Sequence, residues 1–286
     1  MMFLVSLAAL ALVTAVQPVL RAPAEFTARY EVEARLTSGE GAEAGGDVAW
    51  TLEQRARVLL AEGKRDAEGA AMVTGRFESL AATLNDNGRE TDFAWSAGAV
   101  APEGEPEACA AMRRAAVAGF KLQRIGSELS DEMEGGPGQR RMRGEPERVK
   151  WLGVFAASAL PRTLGPIVAL DVSEKVRAVG AEWVIERRLG GAAVLRLRPR
   201  VVSVEGERVV VRGPVEIEVE AAVAGSAEPE VTVVVRDGEF SAEWAGERLV
   251  SSELRYEAVW TARLATERPI ERKTTTTTRI KLRLVP

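Results

Sequence analysis

Along most of this chain apolar and polar residues alternate with a period of two. Phe26, Ala28, Tyr30, Val32, Ala34 and Leu36 interleave with Thr27, Arg29, Glu31, Glu33 and Arg35. One side is apolar and the other charged, as in a half-buried antiparallel strand. After a Gly-rich turn at 39–46 the alternation resumes, with Val48, Trp50, Leu52, Ala56, Val58 and Leu60 opposed to Thr51, Glu53, Arg55 and Arg57. A third strand is predicted over 70–84, and Asp86-Asn87-Gly88 supplies the Asn-Gly chemistry of a tight hairpin into 89–96. The first half reads as a meander.

The texture changes at 106–118, which is Ala-rich and contains Val117 as its only β-branched residue. Glu105 and Glu107 stand at its front and Arg113 and Arg114 further along, an order that suits the helix dipole. A short hairpin is expected over 120–125 and 128–134 around Gly126-Ser127. The segment 135–147, rich in Gly, Pro and Arg, reads as a flexible linker. A second short helix is predicted over 148–160, ended by Pro161.

Period two then returns over 183–189, 192–204 and 208–221. Val231 to Arg236, an Asp237-Gly238 turn and Glu239 to Trp244 are expected to form a hairpin. Val250, Leu254, Tyr256, Ala258, Trp260, Ala262 and Leu264 line one face of a long strand with Glu253, Arg255, Glu257 and Arg263 on the other, and a last strand runs over 270–285. The expected fold is mainly β: large twisted antiparallel sheets, half-barrel-like, with the Ala-rich helix packed on an apolar face. The division predicted is a signal peptide at 1–24, a β-rich half at 25–134 with its helix near 106–118, the linker at 135–147 and a second β-rich half at 148–286. The halves are either one domain or two similar units, without a fixed internal period.

The signal-peptide expectation rests on Phe3 to Val16, an apolar stretch broken only by Ser6 and Thr14, followed by Ala22-Pro23-Ala24 before Glu25. Its front carries no Lys or Arg. An N-terminal membrane anchor is the alternative, although the apolar run is shorter than the roughly 20 residues of a helical span. The expected location is extracytoplasmic, periplasmic or secreted, with no membrane span after signal removal. The single cysteine, Cys109, cannot form an intramolecular disulfide and sits in an Ala-rich setting that predicts a buried thiol.

Leu160-Pro161, Val179-Gly180-Ala181-Glu182-Trp183, Gly238-Glu239-Phe240 and Gly246-Glu247-Arg248-Leu249 lie ahead of or within the strands of the second half. In these motifs the chain resembles a family of uncharacterised exported bacterial β-rich proteins, over roughly its second half. It departs from that family at Ala181, where Asp is usual, and in a longer insert between Pro161 and Gly180. The resemblance implies a β-rich fold and an export route, and no activity.

Composition narrows the chemistry. The chain contains no histidine, which removes Ser-His-Asp and Cys-His triads and His-based zinc sites. It carries neither a Walker-type nor a dinucleotide-type glycine motif. Its 38 basic and 42 acidic residues are interleaved along the strands, so no basic face is offered to nucleic acid. The cluster Glu128, Asp131, Glu132 and Glu134 and the patch Arg140, Arg141, Arg143, Arg148 and Lys150 read as solvated charge. The stretch 83–88 fails the calcium-loop pattern, with Thr83 in place of the first Asp and Ala94 in place of the bidentate Glu. The Thr274 to Thr278 run reads as an exposed strand face, since a threonine array needs stacked ranks. No catalytic residue, metal site or cofactor is expected. The function expected is a non-catalytic extracytoplasmic binding protein for an apolar or amphipathic, lipid-like ligand, with Trp50, Tyr256 and Trp260 as candidate ligand-binding residues. The alternative is a structural or protein/polysaccharide interaction module of the cell envelope. An enzyme using carboxylates alone is the third reading.

Overall fold

The computed structural model describes residues 26–40, 48–64, 70–125, 128–130, 153–155, 159, 163–165, 178–190, 193–219, 230–246, 248–264 and 270–286. The described residues form thirteen strands: β1 Phe26–Glu40, β2 Val48–Glu62, β3 Ala70–Asp86, β4 Arg89–Ser96, β5 Phe120–Ile125, β6 Glu128–Ser130, β7 Ile185–Gly190, β8 Ala193–Leu197, β9 Arg200–Glu205, β10 Arg208–Val219, β11 Glu230–Ala245, β12 Arg248–Leu264 and β13 Ile270–Val285. An α-helix, α1, spans Glu107–Ala118. The protein is mainly β, as the alternation predicts, and its antiparallel sheet is not closed. Its order is β6-β5-β3-β2-β1-β13-β12-β11-β10-β8-β7, with β4 beside β3 and β9 beside β10.

The first and last strands meet at the centre of this sheet. β1 and β13 pair from Arg29↔Val285 to Glu40↔Thr274, so a β1–β2–β3 meander on one side and a β10–β11–β12–β13 meander on the other share one ladder. Even-numbered residues of β1, β2, β12 and β13 face the core, among them Val32, Leu52, Val58, Leu60, Tyr256 and Leu282. Gln54 and Glu62 are the polar members of the β2 set.

One continuous apolar cluster runs from Cys109, Met112 and Ala116 of α1 through Tyr30, Leu80 and Phe240 to Leu195 and Leu197 of β8. The helix places Cys109, Met112 and Ala116 on one stripe, at the spacing of a helix face, and packs against β3 and β4. Gln54 is 4% exposed, and its Oε1 accepts a 3.1 Å hydrogen bond from the Val154 amide. That bond ties a 3-10 turn at Gly153–Phe155, with buried Val154 and Phe155, onto the sheet. Where β3 passes β5, Gly75 leaves room for an aromatic ring: a Cβ there would lie 2.0 Å from Phe120 Cζ.

Two expectations are corrected. Residues 231–244 are not a hairpin but part of the single strand β11, with a bulge between Val235 and Asp237. Gly238 serves close approach instead of a turn, since a Cβ on it would stand 2.8 Å from the Val215 carbonyl oxygen. The strand expected over 192–204 is divided into β8 and β9 around Arg198-Pro199, although both keep antiparallel register with β10. Of the helix expected over 148–160, Gly153–Phe155 forms a 3-10 turn, and 148–152, 156–158 and 160 lie outside the described residues. The Asn-Gly hairpin between β3 and β4 is present, with Asn87 at φ 51° and Gly88 at φ 82°. The short β5–β6 hairpin is present too, paired from Gln123↔Ser130 to Ile125↔Glu128. The 1–24 segment, the 135–147 linker, Leu160-Pro161 and the Asp131, Glu132, Glu134 and Arg140–Lys150 charges lie outside the described residues.

Two of the resemblance motifs have structural roles here. Gly180 adopts φ 93°, its amide donates to Val201 O, and Trp183 N donates to Pro199 O. Gly246 adopts φ 59° and donates to Glu207 O.

Candidate ligand-binding end of the apolar face

Strand register brings Trp50, Tyr256 and Trp260 onto one face at one end of the sheet. Trp50 on β2 stands opposite Ser38 on β1, which stands opposite Thr276 on β13, opposite Ala258 on β12. The row beneath runs Leu52, Leu36, Thr278, Tyr256, and the row above contains Glu40, Thr274 and Trp260. All carry the core-facing parity. Three strand spacings separate β2 from β12, about 14 Å.

Burial grades along this direction. Tyr256 is 7% exposed and belongs to the core, whereas Trp50 and Trp260 are half-buried and pack on its margin. Trp260 Nε1 donates to Thr276 Oγ1 at 2.9 Å, and Thr276 Oγ1 donates to Ala258 O at 3.4 Å. The indole's polar edge is thus satisfied within the sheet, and its ring remains a partly exposed apolar surface. One row further out, Arg272 pairs with Glu40 on the same side, their side chains 71% and 68% exposed. The end is amphipathic: aromatic rings first, then a solvated ion pair.

The opposite end differs. Glu62 of β2 and Arg124 of β5 reach across β3 and join at 2.7 and 2.8 Å, with side chains 0% and 4% exposed. Sequence reasoning missed this pair, and it missed Gln54. Parity was the available signal, because Gln54 and Glu62 occupy core-facing positions of β2, and Arg124 shares the parity of Phe120 and Leu122.

Near α1, Arg113 donates to Glu105 at 2.8 and 3.1 Å and lies over the Phe93 ring at 5.9 Å. The Arg113 guanidinium holds the Glu105 carboxyl below its usual range. Cys109 is buried as expected, and burial pushes its thiol pKa up.

The other face of the sheet is charged and internally paired. Arg55–Glu33 at 2.9 Å, Arg57–Glu31 at 3.1 Å and Arg279–Glu253 at 2.7 Å are cross-strand pairs, each worth about 0.2–1 kcal/mol at such exposure. Two open concavities of about 420 and 370 Å³, lined mainly by charged and polar residues, lie on it and share Glu33 and Lys281. The threonine run is divided between faces, with Thr278 buried and Thr277 exposed. Neighbouring strands do supply one rank, Thr51–Thr37–Thr277, flanked by Asn85 and Glu257. The next row is Glu53–Arg35–Arg279, so the rank is not repeated there.

Among the described residues no group of three or more Cys, Asp or Glu side chains is placed to hold a metal ion. No helix among them is long and apolar enough to cross a membrane.

No known protein family matches the chain, and no curated protein matches it. Among solved structures, an outer membrane channel from Pseudomonas putida F1 aligns over 92% of this chain and 97% of its own, at 9% identity and a TM-score of 0.19.

Proposed function

We propose that this protein is a non-catalytic extracytoplasmic binding protein for an apolar or amphipathic ligand, taken up at the Trp50–Trp260 end of the apolar face. One observation carries the reading. Two half-buried tryptophans flank hydroxyl-bearing strands at one end of the core, and the Glu40–Arg272 pair stands just beyond them. An acyl or other apolar group would lie against the rings while a polar head met the ion pair. Partly exposed indoles suit such a boundary, being apolar in body and polar at one edge.

Native mass spectrometry of the protein purified from its own host tests this. The expected result is an adduct of lipid-like mass that diminishes in a Trp50→Ala/Trp260→Ala variant. Absence of any adduct, or an adduct unaffected by the substitutions, refutes it.

The alternative, an interaction module of the cell envelope, draws support from the outer edges of β6 and β7, which pair with no further strand among the described residues. Unpaired strand edges bind extended segments of other chains.

A further inference from the structure

Pairing on the charged face of the sheet leaves cations over in one place. Two neighbouring rows cross the sheet from β2 to β10: one runs Arg57, Glu31, Arg283, Ser251, Glu243, Val210, and the next runs Arg55, Glu33, Lys281, Glu253, Ser241, Arg212. From β1 to β10 both rows line the larger concavity, of about 420 Å³. Each glutamate in that lining already has a guanidinium. Glu31 takes Arg57 at 3.1 Å, Glu33 takes Arg55 at 2.9 Å, and Glu253 and Glu243 take Arg279 and Arg208 at 2.7 Å. Arg212, Lys281 and Arg283 make no ion pair among the described residues. The half-buried Ser241 and Ser251 lie between them, and their hydroxyls make no hydrogen bond there either. Lys281 and Arg283 thus stand uncompensated at one side, and Arg212 stands three strand spacings away, about 14 Å.

We propose that this concavity binds an acidic oligosaccharide, with acid groups on Lys281–Arg283 and on Arg212 and sugar hydroxyls on the two serines. It lies on the face opposite Trp50 and Trp260 and is independent of the apolar-ligand reading. Charge alone admits any polyanion; the other lining groups choose among them. Glu31, Glu33, Glu243 and Glu253 repel a dense anion such as polyphosphate. Their spare lone pairs accept hydrogen bonds from sugar hydroxyls, and a serine hydroxyl both donates and accepts. Arginine's planar fork matches a carboxylate in two places at once. The smaller concavity, about 370 Å³, adjoins through Glu33 and Lys281 and carries the polar surface on to Thr83 of β3. A chain-like ligand crossing the strands therefore meets a continuous polar bed.

Isothermal titration calorimetry of the full chain is the test. The probes are a galacturonate hexamer and a heparin-derived hexasaccharide, with maltohexaose, hexaglutamate and tripolyphosphate as comparisons. An acidic hexasaccharide is expected to bind more tightly than every comparison, and more weakly as salt rises. Arg212→Gln and the Lys281→Gln/Arg283→Gln pair are each expected to weaken it about tenfold, and Ser241→Ala/Ser251→Ala about fivefold. Lys281→Arg is expected to preserve binding, and Arg89→Gln, on the β3–β4 hairpin, to leave it unchanged. Trp50→Ala/Trp260→Ala is also expected to leave it unchanged, which separates this site from the apolar one. Failure of both acidic hexasaccharides to bind overturns the proposal, as does an equal loss in Arg89→Gln. Any comparison binding as tightly overturns the assignment to an acidic sugar.

Discussion

Replacing Glu62 with alanine removes half of an ion pair that the fold encloses. The Glu62 and Arg124 side chains are 0% and 4% exposed, and their charged atoms approach to 2.7 Å. At an effective dielectric of about 20, attraction at that distance is about 6 kcal/mol. Withdrawing two ions from water costs several kcal/mol each, so the intact pair nets little against an apolar replacement. Removing one partner leaves a buried charge behind, and Glu62→Ala is expected to destabilise by about 3–5 kcal/mol. With a urea slope of about 3 kcal/mol/M, the midpoint falls by about 1–1.7 M. Glu62→Leu/Arg124→Leu is expected within about 1 kcal/mol of wild type, so the cycle it closes with the single variants Glu62→Leu and Arg124→Leu is expected to show a large coupling energy. A Glu62→Ala midpoint near wild type, or a double variant as unstable as the singles, would refute the reasoning.

Burial pushes the Tyr30 phenol up to about 12, with Arg248 opposing. The folded state keeps this proton after the unfolded chain loses it near pH 10, so stability is whole below pH 10 and falls by up to about 2.7 kcal/mol toward pH 12; denaturant titrations of Tyr30→Phe should lack that component. Gly75→Ala drives a methyl into the Phe120 ring, and a loss of about 1–3 kcal/mol is expected by urea unfolding. Cys109, buried and with a raised thiol pKa, should resist iodoacetamide in the native protein and react on unfolding, as followed by intact mass. Glu105, held low by Arg113, adds stability present above the ordinary carboxylate pKa and lost as pH falls through its folded value; acid titrations of Glu105→Gln should show a shallower decline.

Period-two alternation determined much of this protein by itself. Each strand can bury only one face, so the positions of Tyr30, Val32, Leu52, Val58, Tyr256 and Ala258 already named the core side. Helix α1, its buried Cys109 and the Asn87-Gly88 hairpin were legible for the same reason, as local chemistry read over a few residues. Tertiary structure decided which strands became neighbours. Only the β1–β13 ladder gathers Trp50, Tyr256 and Trp260 at one end, since they belong to strands about 200 residues apart and pairing at that separation leaves no local signature. Likewise Asp237-Gly238 reads as a turn until β10 crosses close above it, and Glu62 reads as surface charge until Arg124 arrives from β5. Alternation specifies a face; the partner on that face is set by packing across the whole chain.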